Sequence, residues 1–304
     1  MTEEDKVYAR ALALFRDKFM PAHQGVSFDR REVYRFAGIR DITAHQPYKL
    51  AMGKVLYNLA HINEHRELEQ VSKHEYRIVV ADSDEVKWWE QQEGEDDIQG
   101  IRLPFDLENY CTFSNPFVGV VAGATNAGKT AFFVKTVQLN YVAWGDKIHF
   151  FCREGFSDLK AKFTYLGIPI PPKFHTYRRF DHFQDVIVPD GFNIVDYLKV
   201  DTNAMYTVEK DIEAILKRLK SGGIALIGMQ KPPGRDTAYG GEFTRMDPTF
   251  YISLDKFGYR QVKVKFVKVK KPKGNIDIYE RYFEAKIVGN GSDFADIRTG
   301  TEDK

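Results

Sequence analysis

The sequence has 304 residues, 43% of them hydrophobic and 29% charged, with a formal net charge of +1. That is ordinary globular composition, which excludes a wholly disordered chain and gives a first expectation of two domains. So balanced a charge supplies no global cationic field, so any contact with nucleic acid has to come from a local patch. Its two cysteines, Cys111 and Cys152, exclude a disulfide scaffold or a cysteine-rich zinc module and fit a reducing compartment. The acidic start, Thr2-Glu3-Glu4-Asp5, has the wrong charge for a signal peptide, and the longest apolar run, residues 222–229, is too short to span a bilayer. The expectation is a soluble, cytoplasmic protein with no membrane partner.

In chain order, residues 3–19 carry helical periodicity through Val7, Ala11, Leu14 and Phe15. Ser27 reads as the N-cap of a second helix through Val33, Tyr34 and Phe36. A third helix is expected from about 47 to 62, apolar at Leu50, Val55, Leu56 and Leu59. Residues 67–80 then read as a β-hairpin. Helices followed by a hairpin predict a small winged helix-turn-helix domain over residues 1–80, or else an α+β module for subunit packing. Residues 81–102 are dominated by acids and read as an exposed tether, although Trp88-Trp89 within it suggest docking on a surface.

From residue 103 to 290, strands alternate with helical patterns, which predicts an α/β domain around a parallel sheet. The run Phe117-Val118-Gly119-Val120-Val121-Ala122 is continuously apolar, as a strand covered on both faces should be. Further strands are expected at 147–152, 173–177, 193–198, 223–229 and 249–254, and helices at 129–142, 157–166 and 208–219. Residues 261–270 and 276–287 read as an antiparallel hairpin, and residues 291–304 as a flexible tail.

Gly123-Ala124-Thr125-Asn126-Ala127-Gly128-Lys129-Thr130 fits the phosphate-loop pattern, with a strand before it and a helix opening at it. Together with Ala131 it is the candidate ATP-binding stretch. Its backbone amides and the helix N-terminus suit phosphate. Lys129 is expected to reach the β- and γ-phosphates, and Thr130 to ligate Mg²⁺. Glu154, just past the next strand, is a candidate to polarise the attacking water. Asp196, near the end of the strand 193–198, is expected in the Mg²⁺ shell. Gln230, ending the strand 223–229, emerges where the γ-phosphate could be sensed. A basic stretch, from Lys256 and Arg260 through Lys263, Lys265, Lys268, Lys270, Lys271 and Lys273, contains no acid.

These segments in series, the phosphate loop, Phe-Cys-Arg-Glu at 151–154, Ile-Val-Asp-Tyr-Leu at 194–198 and Ile-Gly-Met-Gln at 227–230, resemble the RecA/DnaB class of ring- and filament-forming ATPases. Val195-Asp196-Tyr197-Leu198 looks like the second nucleotide motif of DnaB-type replicative helicases. The resemblance covers residues 103–288, and residues 1–80 do not look like a DnaB helical collar. It implies a RecA-like core, with Lys268 and Lys270 as a cationic finger inserted into the neighbouring subunit's site. It also implies that the loops at 199–207 and 231–245 line a channel gripping single-stranded DNA. In the longer loop Lys231, Arg235 and Arg245 would meet phosphates and Tyr239 would stack on a base.

Taken together, the sequence predicts a nucleic-acid-dependent ATPase using ATP and Mg²⁺. It would be a DnaB-like helicase or translocase of the kind carried by phages or mobile elements, assembled as a homo-oligomer, a hexameric ring, with replication or loader proteins as further partners. Two other readings stand beside it. One is a RecA-like recombination or annealing accessory that forms filaments. The other is an ATP-switched regulator that binds duplex DNA.

Overall fold

The structure is a computed structural model, and it describes residues 2–23, 27–62, 67–79, 97–153, 155–201, 204–274 and 277–301. The chain forms two compact units, residues 1–91 and 92–304.

In the first unit, α1 (Glu3–Leu14) opens on a capping box: Thr2 Oγ1 accepts from the Asp5 amide and the Asp5 carboxylate accepts from the Thr2 amide. The helical path continues through a π-type turn at Phe15–Phe19 and a last turn, α2 (Met20–Ala22). The second helix starts later than the sequence suggests. Ser27 lies in a short strand, β1 (Ser27–Asp29), and Asp29 is the N-cap of α3 (Arg30–Phe36), accepting from the Arg31 amide at 2.7 Å. Helix α4 (Gln46–His61) follows, then the hairpin β2 (Leu68–Ser72) and β3 (Glu75–Ile78). The three strands form an antiparallel sheet in the order β1-β3-β2. Phe15, Phe19 and Phe28 meet Val55, Leu56 and Leu59 of α4 in one core, with aromatic rings 5.0–6.0 Å apart. This spacing suits offset and edge contacts.

The second unit begins within the segment expected to be tether. Most of that segment, with Trp88 and Trp89, lies outside the described residues. Its end is folded: β4 (Asp97–Ile98) pairs with β5 (Phe113–Ser114), and Ile101 is buried. The buried Asn140 amide group accepts from the Arg102 N–H at 2.9 Å and donates to its C=O at 2.6 Å.

A nine-stranded sheet forms the body. Its parallel strands are β6 (Phe117–Gly123), β7 (Ile148–Cys152), β8 (His175–Arg178), β9 (Phe192–Leu198), β10 (Ile224–Gln230) and β11 (Phe250–Gly258). Three antiparallel strands extend it: β12 (Gln261–Val269), β13 (Arg281–Val288) and β14 (Asp293–Thr301). The order is β14-β13-β12-β11-β6-β10-β9-β7-β8. All residues of β6 are buried, because α5 (Lys129–Trp144) and α6 (Phe156–Tyr165) pack on one face while α7 (Thr207–Arg218) packs on the other. Strand β14 corrects the expected tail at 291–304. Asp293–Thr301 is paired with β13, Phe294 packs on the core, and Asp293 pairs with Lys135 of α5 at 2.9 Å. Among the described residues, no helix is long and apolar enough to cross a membrane.

Candidate nucleotide site

Parallel strands bring their C-terminal ends to one edge, and the candidate residues gather there. Gly123 ends β6 and Lys129 starts α5. Between them Asn126 takes φ +60° and Gly128 φ +94°, a left-handed backbone that glycine enters without penalty. A Cβ on Gly123 would lie 2.9 Å from Lys129 Cγ, so the glycine is what lets the lysine stem cross the loop. Lys129 Nζ donates to the carbonyls of Gly123 at 2.7 Å and Ala124 at 3.0 Å. Ala127 within the loop and Ala131 in the first turn of α5 are both buried.

Asp196 is 3% exposed, and its Oδ2 accepts from Thr130 Oγ1 at 2.7 Å. The hydroxyl and the carboxylate therefore meet although they come from different elements. Their oxygen chemistry fits Mg²⁺, which keeps several waters and takes only one or two protein oxygens beside substrate phosphates. Among the described residues no group of three or more His, Cys, Asp or Glu side chains could hold a metal on its own. On the other side of the loop, Gln230 Nε2 donates to Thr125 Oγ1 at 2.6 Å. Glu154 lies outside the described residues.

The cavity around the loop is about 470 Å³ and reaches well beyond the sequence motifs. Arg153, Lys162, Lys256 and Arg260 join Lys129 in lining it. Among the described lining residues that makes five Lys or Arg side chains against one carboxylate, Asp196. Such an imbalance suits a polyanion. Lys162 also pairs with Asp158 one helical turn away. Tyr259, 81% exposed, and Ile287 and Asn290 form the apolar and amide part of the wall. Sequence reasoning missed this second half because it ended the strand before the hairpin at residue 254. In fact β11 runs to Gly258 in parallel register with β6, with Leu254 opposite Gly123. Its last residues and the turn into β12 therefore overhang the loop. The Gly258 turn between two strand-like runs was the available signal.

The channel-loop residues fare differently. Lys231, read as a DNA contact, is 2% exposed, with Nζ 2.5 Å from Asp255 Oδ1 and 2.6 Å from the Arg235 carbonyl. It is an internal tie, since burying a lysine requires a partner. Tyr239 is half-buried against the α7-side core, and Arg245 is half-buried and paired with Glu242 at 2.9 Å. Arg235 is exposed. The loop at 231–245 is fastened to the sheet: the buried Tyr251 hydroxyl accepts from the Ala238 amide at 2.8 Å and meets Thr244 Oγ1 at 3.0 Å. At 199–207, residues 202 and 203 lie outside the described set.

Lys268 and Lys270 stand away from this chain's own phosphate loop. Lys268 lies opposite Tyr251, which lies opposite Val120 in mid-strand. Lys268 Nζ donates to the carbonyls of Arg245 at 2.5 Å and Met246 at 2.9 Å. Burial, with Arg245 and Lys270 nearby, lowers its pKa from the ordinary lysine value. Lys270 is exposed.

Neither a protein-family model nor a curated protein matches the sequence. Among solved structures, the chain is similar to the KaiC-like protein PH0186 from the hyperthermophilic archaeon Pyrococcus horikoshii OT3. The TM-score is 0.47 and the identity 16%, over 66% of this chain and 98% of that one.

Proposed function

We propose that the second unit is a RecA-like ATPase core that binds MgATP at the phosphate loop and hydrolyses it within an assembly acting on single-stranded DNA. The observation that carries the reading is the loop itself, with Lys129 folded over Gly123 and Thr130 bonded to Asp196 in a cation-lined cavity. In this reading Lys129 exchanges its two loop carbonyls for the β- and γ-phosphate oxygens. The loop amides and the α5 N-terminus hold the remaining phosphate charge. Thr130 and Asp196 are the residues that would hold Mg²⁺, which neutralises charge on the phosphates when bound. Glu154 accepts a proton from the attacking water.

Gln230 is the element through which the γ-phosphate reaches the loop at 231–245. Its side chain bonds Thr125, and its carbonyl accepts from the Tyr239 amide at 2.9 Å. Lys268 and Lys270, being remote from their own site, serve the neighbouring subunit, where a cation offsets charge developing on the transferred phosphoryl group. Single-stranded DNA meets the exposed Arg235, while Lys231, Tyr239 and Arg245 hold the loop's shape. A closed ring is the assembly this reading favours, and open helical filaments are the outcome expected of a recombination or annealing accessory.

A second reading draws on the first unit. Helices α1, α3 and α4, the β1-β3-β2 sheet and the hairpin that follows α4 support a winged helix-turn-helix reading of this unit. In that reading the unit docks α4 on duplex DNA and the ATPase gates oligomerisation. The test is ATPase activity without DNA, with single-stranded DNA and with duplex, beside electron microscopy of the assembly. Stimulation by single strands with closed rings supports the translocase. Stimulation by duplex alone supports the regulator, and indifference to both removes the nucleic-acid role.

A further inference from the structure

Arg153 directly follows β7 in the chain, just before Glu154, and lines the nucleotide cavity beside Asp196 and Tyr197. Its backbone N–H donates to the Asp196 carbonyl at 3.3 Å, tying it to the residue bonded to Thr130. Its guanidinium lies 5.4 Å from the Tyr197 ring centroid and 5.3 Å from that of Phe180. Flanked by two aromatic rings, it is held by the attraction of a cation for a ring face. One terminal nitrogen donates to the Phe180 carbonyl at 2.6 Å. A guanidinium has five N–H donors, and here Nε is buried without a hydrogen-bond partner. Among the described residues no carboxylate forms an ion pair with it. A permanent cation at the wall of a cavity, with a guanidinium hydrogen bond to the Phe180 carbonyl and five N–H donors, suits an anion entering that cavity.

The outer end of this stack is also informative. Phe180 is 49% exposed. It begins a turn fastened by Arg179, which donates to the carbonyls of Asp181 and His182 at 2.6 and 3.0 Å. A change at Arg153 therefore has a direct route, through a carbonyl and a ring, to a surface segment.

We propose that Arg153 contacts the terminal phosphate of a nucleoside triphosphate bound in its own subunit, and that this contact fixes the segment 177–183, so that the segment reports whether triphosphate or diphosphate is bound. This rests on reading the cavity as a nucleotide site. Arg153 is separate from the finger lysines, since it acts in cis and on binding.

The experiment uses the full chain, ADP and the non-hydrolysable imidotriphosphate analogue of ATP, with affinities from calorimetry and hydrogen–deuterium exchange over 177–183. The unaltered protein should prefer the triphosphate and protect the segment more strongly with it than with ADP. Arg153→Gln should weaken the triphosphate by about tenfold, the worth of one charged hydrogen bond, leave ADP affinity in place, and abolish the difference in protection. Arg153→Lys, which keeps the charge but loses the planar stack, should recover part of the preference and none of the protection. An unchanged ratio of triphosphate to diphosphate affinity in Arg153→Gln overturns the proposal while leaving the phosphate loop intact. So does equal loss of both nucleotides, the mark of a merely structural side chain, and so does full protection in Arg153→Lys. If the unaltered protein binds neither nucleotide, the reading of the cavity fails and this proposal fails with it.

Discussion

Gly128 shows how single residues constrain the site. It sits at φ +94°, and a Cβ there would lie 2.8 Å from Ile287 Cδ1. Gly128→Ala therefore combines a left-handed alanine with a clash, and should cost about 2 kcal/mol of stability as well as most nucleotide affinity. Chemical denaturation beside calorimetry checks both. Lys231 gives the opposite lesson. A lysine in a polar, glycine-rich loop after a strand reads as a surface contact, and only the tertiary position of Asp255 reveals an internal pair. Lys231→Ala leaves Asp255, whose side chain is 31% exposed, without its cation. It should lower stability by about 2 kcal/mol, below the cost for a wholly buried pair because of that exposure, and barely change DNA affinity. Arg235→Ala should do the reverse, weakening single-strand binding and reducing the slope of log affinity against log salt by roughly 0.7. The phosphate-loop residues, Asp196 and Gln230 were legible because motif chemistry is local in sequence. Lys162, Arg260 and Asn290 were not, since they reach the cavity from distant elements. Cys111 is 1% exposed, with its thiol pushed up to about 12 by burial. It should resist alkylation at pH 8 until the chain is unfolded, as mass spectrometry of the labelled protein would record.

At the level of elements, the apolar parallel strands were readable because a strand covered on both faces must be apolar throughout, as β6, β9 and β10 are. Strand β14 was not, because Asp293-Phe294-Ala295-Asp296 is polar and carries no alternation, and its place is set by pairing with β13. Truncation after Gly289 should therefore expose the β13 edge and uncover Phe294's site on the core. A lower melting temperature and aggregation are expected, whereas removal of a flexible tail would change neither. On the opposite side of the sheet, His149 stacks on His175 at 5.2 Å and meets the Tyr177 hydroxyl at 3.3 Å. Burial, then the charge of His175, lowers the His149 pKa from its ordinary 6.5, against the opposing pull of Asp190 and Asp146. The unfolded chain then takes up the proton first as pH falls, so this histidine makes folding less favourable below about pH 6.5. Denaturation midpoints across pH 5–8 should fall on the acid side, and His149→Gln should flatten that limb.

For the molecule as a whole, composition and charge pattern suggested two bodies. The boundary at residues 91 and 92 falls within the acidic stretch that carried the suggestion. Every described residue of the candidate site belongs to the second unit, so a fragment from residue 97 onward should keep nucleotide affinity. The assembly has its own test. A subunit with Lys129→Ala but intact Lys268 and Lys270 should restore hydrolysis when mixed with one that has Lys129 and lacks both finger lysines. Continued inactivity in mixed assemblies would return the lysines to a purely local role in holding the loop end. The reading depends most on the phosphate loop turning over nucleotide, which phosphate release from MgATP measures directly in the full chain and in Lys129→Ala. The account predicts steady release from the unaltered protein and loss by a factor of about a hundred or more in the variant. Equal turnover in the two proteins would contradict it.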